Sequence, residues 1–179
     1  MALPFPQWLA GQRITANGLN ARNWIRVNQG TDITRTSSTT MTNTNLVITG
    51  AAGAEYYYQA LISYGASIDS DMQWAWSIPT DASITRFTAA LSIADVTTGS
   101  ASAHTVVMRR PAATTGVTAG GTDAANIGTN TTTFNSAYDQ GMITFGAAGT
   151  ATLQFAQNSS DADGTTFRAS SYLLYTRIA

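Results

Sequence analysis

Two stretches near the end of the chain decide the fold: Ala151-Thr152-Leu153-Gln154-Phe155-Ala156-Gln157, and Phe167-Arg168-Ala169-Ser170-Ser171-Tyr172-Leu173-Leu174-Tyr175-Thr176-Arg177-Ile178. In the first, Ala151, Leu153 and Phe155 alternate with Thr152, Gln154 and Ala156, the period of two that marks a half-buried strand. The second extends the strand reading over residues 165–178. Phe167, Leu173 and Tyr175 fall on one side, and Tyr172, Leu174 and Ile178 on the other. A strand wetted on one side carries polar groups at alternate positions. This one is apolar on both, so both sides are expected to be covered, one by an opposing sheet and one by a neighbouring subunit.

The same alternation recurs upstream. Met72, Trp74, Trp76 and Ile78 alternate with Gln73, Ala75 and Ser77, which makes the two tryptophans core residues before carbohydrate-stacking ones. Residues 56–64 form an aromatic-rich strand closed by Gly65, and Ile84, Arg86 and Thr88 alternate with Thr85, Phe87 and Ala89 in a strand running on towards Leu91 and Ile93. Further strands are expected at 24–27, 46–48, 104–108, 133–138 and 141–146. The Thr, Ser and Asn run at 31–45 is read as an extended lead-in to a strand. Residues 114–133 are read as a long loop or weak edge strands. No amphipathic helical stripe exceeds two turns, although Thr15 is placed to cap a short helical turn. Many short strands with turn signals at intervals of about ten residues specify an all-β sandwich or jelly roll.

Composition narrows the function. Only 11% of the 179 residues are charged, so much of the outside is neutral and polar, and depletion of charge is the mark of interface cores. All nine basic residues are arginines, and only Arg109 and Arg110 are adjacent; the net charge of −1 leaves no basic face for a nucleic acid. Absence of cysteine excludes disulfides and thiolate metal sites. No apolar run approaches the roughly 20 residues of a membrane helix, and the N-terminal residues lack the pattern of a secretory signal.

Catalytic groups are sparse. His104 is the sole histidine and Glu55 the sole glutamate. Asp69, Asp71, Asp81, Asp95 and Asp139 are all read as turn residues. A two-carboxylate or triad site is therefore not expected, and the chain is read as a non-enzyme without cofactor. Asp161, Asp163 and Gly164 match the start of a calcium loop, but no bidentate Glu follows, so they are read as a tight turn and no metal is assigned.

The opening segment has a different character. Pro4-Phe5-Pro6-Gln7-Trp8-Leu9 is stiffened by proline and heavy in apolar side chains, which lowers the entropy lost on docking. It is either a tail packed on its own domain or an anchoring arm over residues 1–30. Phe5, Trp8 and Leu9, with Trp24 behind them, favour the arm, leaving residues 31–179 as the folded domain.

Tyr56-Tyr57-Tyr58, Met72-Gln73-Trp74-Ala75-Trp76-Ser77-Ile78-Pro79, Gly149-Thr150-Ala151-Thr152-Leu153-Gln154-Phe155-Ala156-Gln157-Asn158 and Ser171-Tyr172-Leu173-Leu174-Tyr175-Thr176-Arg177-Ile178, in that order, resemble the C1q/TNF-like jelly rolls carried by tailed phages. The opening, from Pro4 to Ala16, resembles the start of minor structural proteins in phages of actinobacteria. The resemblance leaves residues 97–133 without a counterpart. It implies jelly-roll subunits around a threefold axis with apolar and aromatic residues at the centre, hence a homotrimer with Tyr172, Leu174 and Ile178 in its interface. It further implies a virion structural protein, a minor tail protein or a capsid decoration, docked by its arm on other virion proteins. The alternative is a receptor-binding module whose exposed loops recognise a host-surface glycan.

Overall fold

The computed structural model describes residues 11, 13, 23–93, 105–112, 114–121 and 135–179. Among them are twelve strands and no helix: β1 (Ile25–Asn28), β2 (Ile33–Arg35), β3 (Thr42–Gly50), β4 (Glu55–Gly65), β5 (Met72–Ser77), β6 (Ala82–Leu91), β7 (Val106–Arg109), β8 (Val117–Ala119), β9 (Asn135–Phe145), β10 (Gly149–Ala156), β11 (Thr165–Phe167) and β12 (Tyr172–Arg177). Every pairing is antiparallel. The larger sheet runs β1-β12-β4-β9-β6-β7, with β11 bridging β4 and β2; the smaller runs β3-β10-β5-β8. The pairings are nested. β1 lies beside β12, β3 beside β10, β4 beside β9 and β5 beside β8, so each early strand finds its partner progressively closer in the chain.

The two sheets share one core, the arrangement of a β-sandwich. The smaller sheet contributes Leu46, Ile48, Met72, Trp74, Trp76, Leu153 and Phe155; the larger contributes Tyr58, Ile62, Ile143, Phe145, Leu173 and Tyr175. The tryptophans are core residues, as their alternation requires. Trp76 meets the Tyr58 ring edge-on at 5.0 Å, a geometry that suits the ring quadrupoles.

Several boundaries differ from the sequence reading. The strand expected over 165–178 is broken into β11 and β12 by a turn in which the Ser171 amide donates to the Arg168 carbonyl at 3.0 Å. Asp32 holds that turn by accepting from the Arg168 guanidinium at 2.8 Å and from the Ala169 amide at 2.7 Å. The strands expected at 133–138 and 141–146 are one continuous strand, β9, through Gly141. The lead-in at 31–45 contains β2 and the first residues of β3. Within 114–133, β8 is an edge strand whose Val117 and Ala119 reach the core. Of the arm expected over residues 1–30, Ile25–Asn28 form the edge strand β1 on β12 and so belong to the sandwich. Phe5, Trp8, Leu9, Thr15, Asp95 and His104 lie outside the described residues.

Candidate functional site

Two places in the sandwich concentrate polar or aromatic chemistry, and they lie on opposite sides of the larger sheet. The inner one is centred on Asp139. The sequence reading put this residue in a turn; it stands instead in the middle of β9, fully buried, opposite Ala60. The Tyr58 hydroxyl donates to its Oδ1 at 2.8 Å, Trp74 Nε1 donates to its Oδ2 at 2.8 Å, and the Arg86 guanidinium forms an ion pair with Oδ2. Arg86 also donates to the Thr115 carbonyl at 3.1 Å, tying the segment before β8 to the core. Burial, then the charge and hydrogen bond of Asp139, push the Tyr58 phenol far above its ordinary range, so it remains a donor. A carboxylate surrounded this way by donors and shut from water is a structural clamp between the two sheets.

The outer place is the exposed side of the larger sheet. Alternation along β4, β9 and β12 sends Tyr56, Tyr58, Ala60 and Ile62 inward with Leu173 and Tyr175, and sends Tyr57, Gln59, Leu61, Tyr138, Gln140, Met142, Tyr172 and Leu174 outward. Register then sorts the outward residues into rows. Tyr172, Leu61, Tyr138 and Ala89 form one row; Arg26, Leu174, Gln59, Gln140 and Phe87 the next; Thr176, Tyr57, Met142 and Thr85 the third. Arg26 is the one charged member of these three rows, and its guanidinium stacks on the Tyr172 ring at 4.9 Å.

The phenols and amides of this face bond to one another. Tyr57 and Tyr138 both donate to Gln140 Oε1, at 3.1 and 3.2 Å, and Gln59 Nε2 donates to the Tyr57 hydroxyl at 3.0 Å. Partial burial, followed by the neighbouring Tyr57 and Tyr172, raises the Tyr138 phenol, which keeps the surface neutral. Beside Gln140 the face dips into a pit of about 240 Å³ lined by Tyr57, Thr85, Phe87, Gln140 and Met142, with Arg110 in its wall.

Of the residues singled out in the sequence, Tyr172 and Leu174 lie half-buried on this face. Ile178, 39% exposed, continues it past the end of β12. Trp24, expected in the arm, is 50% exposed and sets its ring edge-on to Tyr57 at 5.9 Å, on this same face. Sequence reasoning missed Tyr57, Gln59, Leu61, Tyr138, Gln140 and Met142. For Tyr57, Gln59 and Leu61 the signal was present in Tyr56-Tyr57-Tyr58-Gln59-Ala60-Leu61, which carries apolar or aromatic groups on both sides just as the last strand does. The turn at Asp161 and Asp163 is tied down by Gln157, whose amide donates to both backbone carbonyls.

No protein-family model matches the chain, and no curated protein matches it at a significant level. Among solved structures, that of infectious bursal disease virus, Gx strain, aligns at 10% identity with a TM-score of 0.23, covering 87% of this chain and 42% of the viral chain.

Proposed function

We propose that this protein is a non-enzymatic structural subunit of a bacterial-virus particle, a jelly roll that associates as a homotrimer through the outer face of its larger sheet. The observation that carries the reading is that face itself. Three rows across β12, β4, β9 and β6 hold uncharged side chains with a single stacked arginine at the edge, and seven of them are large apolar or aromatic groups. Patches of this kind on a chain with few charges are surfaces that another protein covers. The nested pairing of β1 with β12, β3 with β10, β4 with β9 and β5 with β8 supports the jelly roll, a long hairpin wrapped into two sheets, with β6 and β7 as an added hairpin on the larger one. Tyr172, Leu174 and Ile178 sit in the contact between copies. Residues 1–22, carrying Phe5, Trp8 and Leu9, are the docking segment for other virion proteins, in the tail or on the shell.

Sedimentation velocity of the purified protein tests the reading: one species of three chains is expected, and a stable monomer at micromolar concentration overturns it. Removal of residues 1–22 is expected to leave the trimer intact and to abolish attachment to particles. Copy number per particle separates the two locations, since hundreds of copies belong to a shell and three to a few dozen to a tail.

A further inference from the structure

At the centre of the outer face lie two glutamines where a simple greasy contact has no use for them. Gln59 on β4 and Gln140 on β9 are directly opposed. Leu61, Leu174, Phe87 and Met142 flank them in the same or adjoining rows. Tyr57 and Tyr138 saturate Gln140 Oε1, and Gln59 Nε2 gives one of its two N–H groups to Tyr57. That leaves a carbonyl, Gln59 Oε1, and an amide, Gln140 Nε2, with no protein partner among the described residues. One accepts and the other donates. An apolar partner laid over them strands both groups away from water, which is costly. Apart from Arg110 in the wall of the pit, an acidic or basic partner finds no counter-charge in the central columns.

The surface that supplies a donor and an acceptor at the same spacing is this surface again. We infer that Gln59 and Gln140 set the register and number of chains in the self-association, the Gln140 amide of one copy donating to the Gln59 carbonyl of the next around a closed ring. The inference rests on the reading of this face as a contact between copies and adds what makes that contact specific. Flat apolar faces slide; a buried polar pair that is satisfied in one arrangement and stranded in others does not, the role a single buried amide has in coiled coils.

The test is sedimentation velocity of the full-length chain with Gln59→Leu, Gln140→Leu, Gln59→Glu and Gln140→Glu, each checked for folding by its thermal melt. Wild type is expected to give one species whose size is the same at pH 7 and pH 4. The leucine variants are expected to associate at least as tightly but to spread over several sizes. Gln140→Glu is expected to weaken association at least tenfold at pH 7, where its carboxylate faces the Gln59 carbonyl of the next copy, and to recover near pH 4 as it takes up a proton; Gln59→Glu keeps an acceptor and is expected to weaken it less. Leucine variants that give the same single species as wild type overturn the inference while leaving self-association standing. A monomeric wild type overturns the reading beneath it instead. If the leucine variants do not fold, the glutamate variants decide: association of Gln140→Glu that is equal to wild type and the same at the two pH values rules the ring out.

Discussion

Asp139 shows what a single residue can hide in a sequence. Its partners Tyr58, Trp74 and Arg86 are 81, 65 and 53 positions away, and no local pattern announces a carboxylate that three distant strands enclose. Asp is ordinarily a turn residue, and tertiary enclosure overrode that preference. Asp139→Ala is expected to destabilise the fold by about 3–5 kcal/mol in urea titrations, because Arg86 is left charged in the core. Pairing it with Arg86→Met is expected to recover part of the loss; the Tyr58 and Trp74 donors still lack an acceptor, so recovery stays incomplete. A double-mutant cycle measures the difference. Asp71 gives a prediction of opposite sign. Burial first, with the nearby Asp69 adding and the Gly121 amide opposing, raises its carboxyl above the ordinary value of 3.8. The folded state therefore prefers the protonated form. That contribution is complete below the ordinary value and is lost as pH rises through the raised one, so at neutral pH the ionised group works against folding. Asp71→Asn keeps an acceptor for the Gly121 amide, bonded at 2.9 Å, and tolerates the positive φ of 48° at this position. It is expected to raise the melting temperature at pH 7, with the gain shrinking to nothing near pH 3.

At the level of elements, the strands whose two sides differ were plain from alternation: β5 and β10 lie where period two put them, with Trp74 and Trp76 in the core. What alternation could not supply were breaks and joins made by distant groups. The split between β11 and β12 is imposed by Asp32, more than a hundred residues earlier, and by the Ser171 hydroxyl, which bonds the Ser63 backbone on both sides. Conversely, Gly141 reads as a strand end, yet β9 passes through it because β6 approaches so closely there that a Cβ meets the Thr85 carbonyl. Gly141→Ala is expected to wedge β9 from β6 at a cost of ~1–3 kcal/mol, seen as a lower denaturation midpoint with an unchanged slope. The outer face was half legible. The doubly apolar strand at 172–178 pointed to it, but the amides of Gln59 and Gln140 become neighbours only when β4 and β9 pair.

For the whole molecule, the proposed association draws on apolar area and neutral hydrogen bonds, so salt has little to screen. Raising ionic strength from roughly 0.05 to 0.5 M is expected to leave the sedimentation profile unchanged, whereas attraction between charged faces weakens over that range. Met142→Arg is the matching substitution. Met142 is 42% exposed and packs in the pit wall, so the monomer is expected to melt within about 0.5 kcal/mol of wild-type stability, while a charge buried without a partner dissociates the assembly. The nested order of strands carries a consequence of another kind, for how the chain comes off the ribosome. β1 has its ladder partner in β12, the last of the twelve strands, and β3 and β4 wait similarly for β10 and β9. Such pairings must close long loops before any contact rewards them, which places folding in the slow, millisecond-to-second class. The early strands therefore emerge with open edges and no mate, and the sandwich cannot shut until β12 has been made.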